Sequence, residues 1–278
     1  MPSPTFLPIT GSADLCSAIA PWLAANLAQH ALICGLAARL PAGAATGAWG
    51  GVLVNAGEPV LALVQTPPWP VIIDSPLPVD AAVVQEALAL FGAPGRTVEA
   101  VNGPVAWVEA LAAAQGRRIV DRMDLRVHRL VGAPQLPSRP PGAARAFRHD
   151  EIPLIQEWRR DFSAEIGEPG PTPSTTEAES LLGSLLAWTV EDRPVAMAAR
   201  TRPVLGGWSI NSVFTPPNLR GRGYAGAVVH AVCAQVLAEG ATYVVLNTDL
   251  ANPISNHLYA RIGFVPVCDQ ARITWESP

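Results

Sequence analysis

Charge is scarce in this chain. Only 15% of its 278 residues are Asp, Glu, Lys or Arg, and the net charge is −4. A sparse, slightly acidic complement excludes the basic surface that a nucleic-acid partner demands. Cysteine is scarcer: Cys16, Cys34, Cys233 and Cys268 are scattered and form no CxxC pair. That spacing excludes a zinc site and fits small buried apolar groups in a reducing cytoplasm. No apolar run approaches the roughly 20 residues a membrane span needs. The N-terminal MPSPTFLPIT lacks a basic region leading into an apolar core, so neither a signal peptide nor a membrane partner is expected. What is plentiful is small and apolar. Hydrophobic residues make up 49% and mean hydropathy is +0.25, an excess carried mostly by alanine, which favours helix.

The stretch GAPQLPSRPPG, Gly132 to Gly142, reads as a linker, because its prolines and glycines deny helix and sheet alike. It divides the chain into an N-terminal lobe, 1–131, the linker, 132–142, and a C-terminal domain, 143–278. In the first half an apolar stripe through Ile19, Trp22, Leu23, Leu27 and Leu32 predicts a helix over 13–40, with a break near Pro21. Strands are predicted in AWGGVLVN, PVLALVQT, PVIID and the alternating IVDRMDLRVHRL, and helices over 79–91 and 105–115. The second half repeats the plan. Strand RAFRH precedes helices over 151–165 and 175–187, then comes a hairpin, WTVEDRPVAMAAR, and strand WSINSVFT. A helix over 225–239 stops at Gly240, the usual residue past a C-cap. Strand TYVVLNTD, a short helix over 253–262 and strand ARITWE follow. LVQTPPWP and SVFTPPNL each end a β run with Thr-Pro-Pro. Their matching places in the two halves suggest an old duplication whose first copy lost its site.

The segment FTPPNLRGRGYAGA, Phe214 to Ala227, packs three glycines and two arginines ahead of the long helix. Gly221 to Gly226 fits GxGxxG, the dinucleotide fingerprint. The context is wrong for it: six residues separate the strand from the first glycine, and only one strand–helix–strand follows. Arg220-Gly221-Arg222-Gly223-Tyr224-Ala225 also reads R-x-x-G-x-A. Glycines there let successive amide N–H groups converge on one anion, and the helix dipole adds to them. An arginine supplies a charge-assisted bond to a phosphate. Pro216 and Pro217 cannot donate to a ladder, so the strand before them is expected to peel from its neighbour.

This arrangement resembles the pyrophosphate loop of the GCN5-related N-acetyltransferases (GNAT), Q/R-x-x-G-x-G/A. Downstream, NTDLANPISNHLYARIGF, Asn247 to Phe264, resembles the family's second signature, with Asn252, Ser255, Asn256, Tyr259, Gly263 and Phe264 in its places. The resemblance covers Arg145 to the C-terminus, and the two-lobed layout resembles tandem, largely uncharacterised bacterial members. It implies an α/β (α+β) fold of two GNAT-like lobes. Each would be a central mixed, mostly antiparallel twisted sheet flanked by helices, with the splayed-strand cleft in the C-terminal lobe.

It also implies acetyl-CoA (coenzyme A) as co-substrate and no metal. The loop Arg220 to Gly226, with Tyr224 and Ala225, would hold the pyrophosphate. Val213, Phe214 and Thr215 would pair with the pantetheine arm through backbone groups the splay leaves free. Asn252, Ser255 and Asn256 would line the cofactor, Asn252 also serving as a helix cap ahead of Pro253. Tyr259 matches the family's general acid for the departing thiolate. For the base, Glu165 is the first candidate and Asp249 the second, while Asn211 and Ser212 offer a water site instead. His257 falls off the Tyr259–Ser255 face and reads as a surface residue. Trp158 and Phe162, four apart, read as core, and GEPGPTPSTTE, Gly167 to Glu177, as a lid.

The activity implied is acetyl transfer to a primary amine of a small molecule by direct attack, and the acidic balance suggests a cationic acceptor. A CoA or acyl-CoA sensor without turnover is the alternative. The chain is expected to be a monomer or homodimer, with no second cofactor in its first lobe.

Overall fold

The computed structural model describes residues 3–40, 47–136, 138–167, 172–201 and 203–277. In chain order, the first elements are β1 (Thr5–Pro8), α1 (Ser12–Ala18), α2 (Ala20–Asn26), α3 (Ala31–Ala37), β2 (Trp49–Asn55), β3 (Glu58–Gln65) and β4 (Val71–Asp74). They are followed by α4 (Ala81–Phe91), β5 (Ala100–Pro104), α5 (Val105–Gln115), β6 (Ile119–Leu130) and β7 (Ala143–Ala146). Next come α6 (Ile152–Glu165), α7 (Thr175–Leu181), β8 (Leu185–Val190), β9 (Arg193–Arg200) and β10 (Gly207–Phe214). The chain closes with α8 (Tyr224–Ala238), β11 (Tyr243–Asp249), α9 (Pro253–Ile262) and β12 (Phe264–Trp275).

Packing divides these into two compact units. One comprises Met1–Val127, Thr248–Asn252 and Pro266–Pro278, the other His128–Asn247 and Pro253–Val265. The expected lobes at 1–131 and 143–278 follow the sequence; the packing does not. The reason is β12. It pairs antiparallel with β5, Ile273 opposite Val101, and buries Ala271, Ile273 and Trp275 in the first unit's core.

In that first unit β1 to β4 pair antiparallel in sequence order and β5 joins β4 in parallel. Helices α4 and α5 cover the sheet with Val83, Ala87, Trp107 and Leu111 against Leu61, Leu63 and Ile73. The single helix predicted over 13–40 is three short ones. Pro21 stands in the first turn of α2, where its missing N–H is harmless. A second break, over Leu27 to His30, places His30 Nδ1 2.6 Å from Asp74 Oδ2, both buried. Tertiary pairing overrides helix periodicity there.

In the second unit β7 to β10 pair antiparallel and β11 joins β10 in parallel. Helices α6 and α7 pack one cluster, with Ile155, Trp158 and Phe214. Helix α8 packs another, with Val228, Val232 and Tyr259. The helix predicted over 175–187 ends at Leu181, because Leu185 and Ala187 are drawn into strand β8 as buried residues. The strand expected at 145–149 runs Ala143–Ala146, and His149 instead opens a short 3-10 turn capped by Glu151.

The two units therefore share one pattern, four antiparallel strands and a fifth in parallel. That pattern corrects the reading of the two Thr-Pro-Pro segments. The first follows the third strand, β3, and the second follows the fourth, β10, so they are not equivalent. The topological counterpart of the glycine-rich loop is Ser75 to Asp80, after β4. There Asp80 caps α4, its Oδ1 accepting from Ala82 N at 2.8 Å.

Candidate functional site

The site begins with a disruption in β10. Its parallel register with β11 ends at Ile210 opposite Leu246, although β10 runs on to Phe214. The register with β9 shifts between Asn211 and Phe214, and Ser212 sits at φ +50, in the left-handed region a side chain rarely adopts. The departure thus starts at a bulge, four residues before Pro216; the prolines prolong it. Alternation along the strand sends Phe214 to the α6 cluster, its ring 6.0 Å from Trp158, and Val213 to the α8 cluster. Thr215 does not offer a free carbonyl, because Arg220 Nε donates to it at 2.9 Å.

The glycine-rich loop follows. Gly221 and Gly223 have φ of +76 and +83, and Gly223 is the N-cap of α8 with no side-chain cap. No acidic residue stands in the first turn of α8. The first-turn N–H groups of a fifteen-residue helix are therefore left for an anion. A Cβ on Gly221 would meet nothing within 4 Å, whereas one on Gly223 would collide with Ser138 Oγ.

Ser138 belongs to the expected linker, which in the structure is packed. Val131 N and Gln135 N donate to Gly263 O and Ile262 O at 3.1 and 2.8 Å. Trp188 Nε1 donates to Pro141 O at 3.0 Å. Backbone hydrogen bonds, which composition does not reveal, make a strap of this segment.

The two loop arginines differ. Arg220 is tied down by Thr215 O and by an ion pair with Glu165 Oε1. Arg222 makes one longer bond, Nη2 to Asn218 O at 3.3 Å, and is the more available cation. Glu165, the first candidate base, is thus committed to Arg220. Asp249, the second, accepts Ala251 N at 2.8 Å through Oδ1 and Asn252 N through its carbonyl at 3.1 Å. Asp249 and Asn252 fall in the first unit by packing; Ser255, Asn256 and Tyr259 fall in the second with the loop. Ser212, offered as a water site, is also engaged, accepting from Arg159 Nη1 and donating to Asn211 Oδ1.

Within the second unit the two sequence signatures meet. A Cβ on Gly226 would come within 3.0 Å of Leu258 Cδ1, so the small residue lets α9 approach the first turn of α8. Tyr224 and Tyr259 both lie in the α8 cluster, and the Tyr259 ring meets Phe264 edge-on at 6.0 Å. Burial, and secondarily the Cys233 thiol, push the Tyr259 phenol well above its ordinary value of 10. It stays protonated throughout the working range. Ser255 and Asn256 are half-buried on α9, and His257 is exposed. Residues 168–171 of the expected lid lie outside the described residues.

Sequence reasoning missed Arg159. Its place beside the Ile155–Trp158–Phe162 stripe gave no signal, and only packing shows that its Nε is buried without a hydrogen-bond partner.

Among the described residues no group of three or more His, Cys, Asp or Glu is placed to hold a metal. No helix among them is long and apolar enough to cross a membrane. Residues 152–264 match the model of the Acetyltransferase (GNAT) family. No curated protein matches the sequence. Among solved structures, a Drosophila protein is similar over 98% of this chain and 99% of its own, at 12% identity and a TM-score of 0.68. A GNAT-family acetyltransferase from Colwellia psychrerythraea is similar over 98% and 100%, at 11% identity and 0.59. A GCN5-related N-acetyltransferase from Kribbella flavida is similar over 78% and 87%, at 20% identity and 0.55. At such identities these likenesses show the fold.

Proposed function

We propose that this chain, whose residues 152–264 match the model of the Acetyltransferase (GNAT) family, is an N-acetyltransferase that moves an acetyl group from acetyl-CoA to a primary amine of a small molecule. The observation that carries the cofactor assignment is the first turn of α8, opened by two left-handed glycines and capped by no side chain. Such a turn fits a pyrophosphate, with Arg222 adding charge and Arg220 holding the loop against Thr215 and Glu165. The strand edge left by β10 beyond Ile210 suits the pantetheine arm, added as a further strand along the backbone of Val213 and Phe214, since Arg220 already occupies the Thr215 carbonyl. Ser255, Asn256 and Asn252 are assigned to the cofactor from the motif.

Bound acetyl-CoA supplies an activated thioester carbon. The amine attacks it directly, and Tyr259 is the group proposed to protonate the departing thiolate. A phenol held protonated by burial always has a proton to give, and placement makes up for its weak acidity.

Calorimetric titration with acetyl-CoA tests the reading. One site per chain is expected, and Gly223→Asp should abolish it, because the carboxylate meets both the phosphates and Ser138. Absence of binding by the unaltered protein would sink the proposal. Binding without turnover on any amine would favour the sensor.

A further inference from the structure

A guanidinium nitrogen of the second unit that is shut off from solvent without a partner lies outside the cofactor loop. Arg159 stands on α6 beside the bulge of β10. Its Nη1 donates to Ser212 Oγ, and its Nε is shut off from solvent with no partner. The residues three and four positions away on α6 are Ile155, Gln156, Phe162 and Ser163, none of them acidic. Along the helix Asp161 pairs with Arg160 and Glu165 with Arg220, while Glu157, two residues before Arg159, is exposed to solvent. Burial alone holds the Arg159 guanidinium below its ordinary value.

Arg159 is half-buried, and sealing its Nε from solvent without a partner costs free energy that a serine hydroxyl on another nitrogen does not offset. Ser212 itself is held at φ +50, a strained conformation of the kind that clusters at functional sites. A charge and a strained residue kept together at the strand bulge, at a cost to the fold, call for a partner that arrives from outside.

We propose that Arg159 receives the carboxylate of the acyl acceptor, so that the substrate is an amino acid or a similar amine bearing a carboxylate within a few bonds. This rests on the acetyl-transfer reading. A guanidinium offers a planar pair of donors that match a carboxylate. That reading lays the pantetheine arm, which ends in the thioester, along β10 beside this bulge, so a carboxylate anchored there leaves the amine near the reacting carbon. The step is redox-neutral. The amine nitrogen bonds the acetyl carbon, the carbon–sulfur bond breaks, and the proton lost by the amine balances the one gained by the thiolate. The acceptor is then a zwitterion rather than the cation that the net charge suggested.

The test pairs each common L-amino acid with its carboxamide as acceptor, with acetyl-CoA as donor and free CoA as readout. At least one amino acid should be preferred over its amide. Arg159→Met should raise its KM about 10- to 100-fold and bring the ratio of kcat/KM between acid and amide close to one. Arg159→Lys should recover part of the preference. Thermal melting separates this from a structural role, since removing an uncompensated charge should leave the Tm of Arg159→Met unchanged or higher.

If acetyl-CoA binds but amides or simple polyamines react as well as amino acids, or nothing in the panel reacts, the carboxylate assignment is overturned and the cofactor reading stands. An Arg159-dependent KM for succinyl-CoA would move the carboxylate to the donor and overturn the acceptor assignment. Failure of acetyl-CoA to bind overturns both.

Discussion

Burial and chemistry pull Tyr259 in opposite directions. Packed among Val228, Val232 and Phe264, it is a core residue, and its raised pKa makes it a weaker acid. The same burial guarantees a proton at the moment a thiolate departs. Tyr259→Phe keeps the ring and removes the proton, so kcat should fall about 100- to 10,000-fold while acetyl-CoA affinity is unchanged by titration. Equal turnover in the variant would remove Tyr259 from the chemistry. Glu165 is a similar case. Its side chain is 44% exposed and paired with Arg220, so Glu165→Gln is expected to weaken acetyl-CoA binding a few-fold and leave the pH profile of kcat/KM in place. Loss of the acidic limb would instead make it the base.

At the scale of elements, two helix N-termini on the same topological site have opposite chemistry. Helix α8 begins with bare glycine, and α4 begins with Asp80, whose carboxylate occupies the N–H groups of Ala82 and Val83. A filled cap leaves no room for a phosphate. Asp80→Ala should therefore cost about 1 kcal/mol, read as a lowered melting temperature, and create no second cofactor site. The start of α6 carries the clearest pH dependence. Glu151 accepts two bonds from Arg145, at 2.6 and 2.8 Å, and one from Arg148 N at 2.8 Å. The Arg145 guanidinium, foremost, holds its carboxyl below the ordinary 4.5. Such a group protonates later in the fold than in the unfolded chain. Its stabilisation is complete above about 4.5 and is lost as pH falls through the lower folded value. Glu151→Gln should flatten that acid limb in urea melts.

For the whole molecule, the consequential feature is the route of the last strand. Ala271, Ile273 and Trp275 are buried in the first unit's core, and β12 pairs with β5. Ending the chain after Val265 should unfold that unit. Losing one buried tryptophan costs about 3–5 kcal/mol, a large share of a typical 5–15. Tryptophan emission and urea melting would report it, and an unchanged transition would show that the strand is dispensable. The stoichiometry expected from the cap at Asp80 is one acetyl-CoA per chain.

Local signals were legible wherever chemistry and backbone coincide. Arg220 to Ala225 could be read as an anion loop because a left-handed turn needs glycine whatever surrounds it. The strands and most helices carried their periodicity in neighbouring residues. Other features depended on residues far apart in the chain. Nothing in GAPQLPSRPPG announces that Ser138 packs against Gly223, and nothing in ARITWE announces its partner in β5. The break at His30 is made by Asp74, forty-four residues away. Composition alone suggested a cationic substrate. Arg159, half-buried beside Ser212, is the observation from which a zwitterion is proposed instead. Sequence determined which local conformations were possible. Tertiary structure decided which charges were left without partners, because burial and pairing are set by groups that only folding brings together.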